Sequence, residues 1–115
     1  MGAHRKSNAE FIGMWHIYEM EGWDEDYFNM DVQAYIEVEP RNLGSFQFGL
    51  VSGQIDGKVV EYPDGNRFEF TWDGNDECDP ANGNGWIKLK DSRTIEGEFR
   101  IHLGEDSKFW ARKAQ

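Results

Sequence analysis

"TIEGEFRIHL", residues 94–103, places Ile95, Gly97, Phe99, Ile101 and Leu103 on one parity and Thr94, Glu96, Glu98, Arg100 and His102 on the other. Successive side chains of an extended chain point to opposite sides, so this near-strict period of two predicts a strand with one buried face and one wetted face. The stretches on its N-terminal side repeat the pattern. "SFQFGL" (45–50) aligns Phe46, Phe48 and Leu50, and "RFEFTWD" (67–73) aligns Phe68, Phe70 and Trp72 against Arg67, Glu69, Thr71 and Asp73. No helical stripe of three turns occurs anywhere in the sequence.

Turn chemistry separates these runs at Pro40–Gly44, Tyr62–Asn66, Lys90–Arg93 and Gly104–Ser107. The expected strands are 10–20, 33–39, 45–52, 54–62, 67–73, 85–91, 94–103 and 108–113. Short links make sequential strands pair antiparallel, and eight of them remove their exposed edges by closing on themselves. The fold expected is therefore all-β: an eight-stranded antiparallel up-and-down barrel over residues 8–115, with a loose tail at 1–7. Residues 21–32, EGWDEDYFNMDV, are too long for a hairpin and are expected to form a short helical turn or a flap over one mouth.

Composition narrows the function. The 115 residues hold 22 acidic and 12 basic side chains, a formal charge of −10. A phosphate backbone or an acidic lipid surface would be repelled, so neither nucleic acid nor membrane is an expected partner. No run approaches the ~20 apolar residues of a membrane span, and the start lacks the apolar run of a secretory signal. The single cysteine, Cys78, has no partner in the chain for a disulfide and suits a reducing cytoplasm.

"FIGMWHIYE" near the start carries Gly13-Met14-Trp15, a Gly-x-Trp on the first strand, and in this it resembles the calycins, the superfamily of lipocalins and fatty-acid-binding proteins. In lipocalins an arginine from the far end of the chain covers that tryptophan, and the resemblance assigns Arg112 in "KFWARK" to this structural role over Trp15. The Arg-x-Tyr pair with which fatty-acid-binding proteins hold a carboxylate is absent from the last strand. The whole-chain pattern from "SFQFG" through "WDGNDECDP" to "IHLGEDS" also looks like a family of small uncharacterised bacterial proteins.

A barrel of eight strands is about wide enough to be filled by its own side chains or to hold one small ligand. The inward parity is rich in Trp, Phe, Ile and Leu, Leu50 and Leu103 included, with Gly13, Gly97 and Ala111 as small partners, which favours a packed interior. On the outward parity Met14, Tyr18 and Met20 of the first strand, and Trp86 and Trp110 near the end, are apolar. Met14, Tyr18 and Trp110 would gather into one patch, covered by the 21–32 flap or by a second copy in a homodimer.

Between Trp72 and Trp86 lies the most polar stretch, DGNDECDPANGNG. One reading is a solvated connection, with Asn, Asp and Gly supplying caps and positive φ angles; it is the preferred one. The other is a functional loop at a barrel mouth, where Trp72 and Trp86 stack on a small cationic or polyhydroxylated ligand and Asn75, Asp76 and Glu77 accept its hydrogen bonds. Asp73, Asn75, Glu77 and Asp79 alternate as calcium ligands do, but Glu77, Cys78 and Asn84 stand where an EF-hand loop needs Asp or Asn, Gly and Glu. His16 and His102 fall on outward positions, with no sign that they adjoin. His102, Asp106 and Ser107 have the side-chain types of a hydrolase triad but sit too close along one turn to converge. No cofactor or metal is expected. The reading is an uncharacterised acidic barrel binding a small molecule at one mouth. The alternatives are an interaction module working through its outer surface and, third, an enzyme using carboxylates at that mouth.

Overall fold

A computed structural model describes residues 7–114; apart from Ser7, the expected tail lies outside the described residues. Eight strands follow in order: β1 Gly13–Met20, β2 Tyr35–Val38, β3 Leu43–Phe48, β4 Val51–Tyr62, β5 Gly65–Asp76, β6 Asp79–Asp91, β7 Thr94–Ile101 and β8 Asp106–Lys113. Each pairs antiparallel with the next, and β8 returns to β1 through a register running from Trp15↔Lys113 to Met20↔Phe109. The result is the closed up-and-down barrel that the alternation predicts. A four-residue helix, α1 Glu25–Phe28, occupies the flap segment after β1, and a 3-10 turn, Ala9–Phe11, precedes it.

The largest departure from the sequence reading is at residues 74–84. They are not a loop: β5 runs on to Asp76, β6 begins at Asp79, and Glu77-Cys78 is a two-residue turn. Glycine and asparagine are poor strand formers, so the segment resembles a connection when residue types alone are weighed. Its parity tells otherwise. Gly74, Ala81, Gly83 and Gly85 point inward while Asp73, Asn75, Asn82 and Asn84 point outward, a period of two built from small residues instead of bulky ones.

Those inward glycines set the core. Phe70 lies between Gly57 of β4 and Gly85 of β6, Trp72 is paired with Gly83, and Phe109 with Gly97. A Cβ at Gly85 would sit 2.6 Å from the Phe70 ring, and one at Gly97 2.8 Å from that of Phe109. Each large ring thus lies across a neighbouring strand's glycine, the alternation of large and small that fills a narrow barrel. Phe99 is the hub, with ring centroids 4.4 Å from Phe109, 4.6 Å from Phe46 and 5.0 Å from Phe48. Burying a side chain of this size contributes roughly 1.5–3 kcal/mol.

Both mouths are stoppered from inside the chain. Phe11 of the 3-10 turn is fully buried beside Phe68, and the Phe11 carbonyl accepts the Trp15 indole N–H at 2.9 Å. At the other mouth α1 brings Phe28 into the core, while Trp23 packs 5.0 Å from Phe48 and 5.9 Å from Tyr27. Asp24 caps α1 by accepting from the Tyr27 N–H. Gly49, in the β3–β4 turn, has φ +58 and faces Tyr27 so closely that a Cβ would lie 2.2 Å from the ring, so glycine is required there twice over.

Three parity assignments are corrected. A bulge in β1 between Ile17 and Glu19 flips the strand's end, so Met20 is buried rather than outward. Leu103 lies in the turn after β7, 95% exposed and at φ +62, instead of inside. Leu50 belongs to a two-residue turn and is half-buried.

Candidate functional site

The structure separates the residues expected to share a site. Trp72 points into the barrel, 3% exposed, with its indole N–H donated to the Arg100 carbonyl at 3.1 Å. Trp86 lies on the opposite face of the sheet, half-buried on the outside. Asn75, Asp76 and Glu77 are exposed along the end and tip of the β5–β6 hairpin, and the Glu77 N–H is tied to the Leu50 carbonyl. The two tryptophans cannot stack on one ligand, because β5 and β6 pair Trp72 with Gly83 and therefore place even-numbered residues of the two strands on opposite faces. Asp73 and Asn75 line a separate shallow concavity of about 330 Å³ on the outer face of β2–β5, away from Asp76 and Glu77.

Around Trp86 a different constellation forms. Register stacks Asp56, Thr71, Asn84 and Arg100 in one outward row across β4–β7, and Lys58, Glu69, Trp86 and Glu98 in the next. All of these except Glu98 line an open groove of about 560 Å³ whose floor includes Phe70, Gly57 and Gly85. Trp86 is fixed in place: its N–H donates to Glu98 Oε1 at 3.2 Å, and the Arg67 guanidinium lies 4.4 Å from the ring centroid. Arg67 is itself stacked on Tyr62 at 4.5 Å. The Tyr62 hydroxyl donates to Glu69, and this bond holds the phenol above its ordinary pKa. Below the stack Lys88 reaches Asp64 at 3.3 Å and draws that carboxyl below the usual range.

Glu69, Thr71 and Arg100 already stand on the outward parity of their strands in the sequence. Their convergence with Asp56, Lys58 and Asn84 depends on strand register, which residue types do not encode.

Elsewhere the expected pairings change partner. The cation over Trp15 is Lys113, 5.0 Å from the ring, with its ammonium also donating to the Ile12 carbonyl. Arg112, one position earlier and of opposite parity, lies outside and covers Tyr18 at 4.2 Å. His16 faces Arg112 across the β1–β8 seam, so a histidine and an arginine interrupt the patch expected from Met14, Tyr18 and Trp110. His102 is exposed at the flap mouth, remote from His16, and Ser107 is buried with its hydroxyl bonded to the Gly22 N–H and the Lys108 carbonyl, so no triad forms. Among the described residues no three His, Cys, Asp or Glu side chains cluster as a metal site, and no helix is long and apolar enough to cross a membrane.

No family model, curated protein or solved structure matches the chain.

Proposed function

We propose that this protein is a small acidic calycin-like binding protein whose ligand sits in the outer groove over β4–β7, and that its barrel serves as scaffold. The observation that carries the reading is the pairing of a full interior with a preformed outer concavity: stacked rings fill the axis and Phe11 and Phe28 stopper the mouths, while the groove beside Trp86 has about 560 Å³, within the range of small-molecule sites. The calycin-like part is supported by eight-strand closure and by a last-strand cation over the first-strand tryptophan, supplied by Lys113. A reducing compartment is supported by the free, exposed thiol of Cys78. An interaction surface over Met14, Tyr18 and Trp110 is the weaker reading, because Arg112 lies across the tyrosine that would anchor it.

The test is a small-molecule screen read by amide and indole NMR shifts. Responding compounds should perturb Trp86, Thr71 and Asn84, and Trp86→Ala should weaken them by at least about tenfold. Binders that perturb Trp23, Tyr27 and Phe48 instead would return the site to the flap mouth and overturn the reading.

A further inference from the structure

Resting on that groove, its chemistry selects a ligand class: we infer that it takes a neutral polyhydroxylated ring, a saccharide, lying flat on Trp86. The indole offers one free face. Arg67 covers the other, since it pairs with Val60 and adjoins Lys88, one register step toward the mouth that holds the Pro63-Asp64 turn, whereas Thr71, Asn84 and Arg100 lie one step the opposite way. With Arg67 behind it and Glu98 on its edge, the ring is held before any ligand arrives, so little side-chain entropy is lost on binding.

A single exposed aromatic plane matches the C–H face of a sugar ring; a nucleobase is better served by a slot between two rings. The rim supplies what hydroxyls need. Asn84 donates and accepts, Asp56 accepts, Lys58 donates, the Thr71 hydroxyl, turned to the Asp56 carbonyl at 3.5 Å, accepts, and Arg100, its Nε held by Asp106 at 3.3 Å, donates through its terminal amines. Among the described residues the side chains of Asp56, Lys58 and Asn84 make no hydrogen bond or ion pair of their own, which leaves them available. Charge points the same way. Arg100 is already ion-paired with Asp106 at 3.3 Å, which leaves Asp56 and Glu69 against Lys58 inside the groove, so anions are disfavoured locally as well as by the −10 of the whole chain.

Millimolar panels of neutral saccharides, nucleosides and short peptides, each followed by the Trp86 indole N–H resonance and by saturation transfer to the ligand, test this. Saccharides should shift that resonance, receive saturation on their ring C–H protons, and bind equally at low and high salt. Trp86→Ala should lose at least about tenfold in affinity and Asn84→Ala a few-fold, each with the backbone spectrum of the folded barrel retained. Groove shifts produced by nucleosides or peptides and by no saccharide would overturn the saccharide assignment while leaving the groove as the site. No groove shift from any panel, with shifts at the flap mouth, would overturn both.

Discussion

Leu103 and Glu77 both occupy the left-handed backbone region, at φ +62 and +60, and both stand in turns where their side chains reach into water. Such a conformation costs a non-glycine residue roughly 1–2 kcal/mol, so Leu103→Gly and Glu77→Gly should each raise unfolding free energy by about 1 kcal/mol, measured by urea titration. The Glu77 N–H to Leu50 carbonyl bond survives that change because it uses only the backbone. Tyr62 gives a pH signature. Its pKa is raised chiefly by the bond to Glu69, so this interaction stabilises fully below the ordinary tyrosine range and is lost as pH rises through the raised value; Glu69→Gln should bring the ultraviolet titration of Tyr62 down toward the ordinary range. Asp64 has the opposite sign. Lys88 lowers its pKa, so the contribution is present above the ordinary carboxylate range and fades as pH falls through the lowered one, and Lys88→Ala should move the Asp64 titration upward by NMR. The inward parity of Trp72 is legible in RFEFTWD, while the partner of Trp15 is not: Lys113 and Arg112 are adjacent cations, and only the β1–β8 register decides which faces the ring.

The β5–β6 hairpin shows where reading from residue types reaches its limit. Strongly apolar strands such as β3 and β7 announce themselves by alternation, and the antiparallel order follows from their short links. DGNDECDPANGNG alternates equally well, but with glycine in the place of hydrocarbon, and its meaning emerges only when Phe70 and Trp72 of the same hairpin are seen to need that room. An added methyl there has nowhere to go: Gly85→Ala should cost about 2 kcal/mol by overpacking against Phe70 and the Glu98 carbonyl, whereas the outward Asn84→Ala should be nearly neutral to folding. The bulge at Tyr18–Glu19 is a comparable case, since a single extra residue moves Met20 from the surface to the core without altering any residue type. The segment expected as a short helical turn or a flap is both at once, and its stopper role resides in Phe28; Phe28→Ala should destabilise by about 3 kcal/mol, while loss of the cap in Asp24→Ala should cost about 1 kcal/mol, both read from denaturation midpoints.

For the molecule as a whole, two properties act together: a cylinder closed by the β8–β1 pairing, and a surface carrying an excess of ten negative charges. Self-repulsion opposes compaction and is screened by salt, so the thermal midpoint should rise between low and physiological ionic strength. Fold class was readable at this scale because eight amphipathic runs with short links leave few other arrangements. The candidate groove was not, because it is assembled from four strands that no single segment describes. Phe99, surrounded by the rings of Phe46, Phe48, Phe70 and Phe109, is the axle about which the whole assembly is packed. Were that benzyl group trimmed away, the walls left behind would be mostly hydrocarbon, with the buried Ser107 opposite already satisfied by its own hydrogen bonds, and a hollow so lined stays dry and admits benzene or xenon. A solid rod and a vessel for aromatic guests are therefore separated, in this sequence, by one side chain.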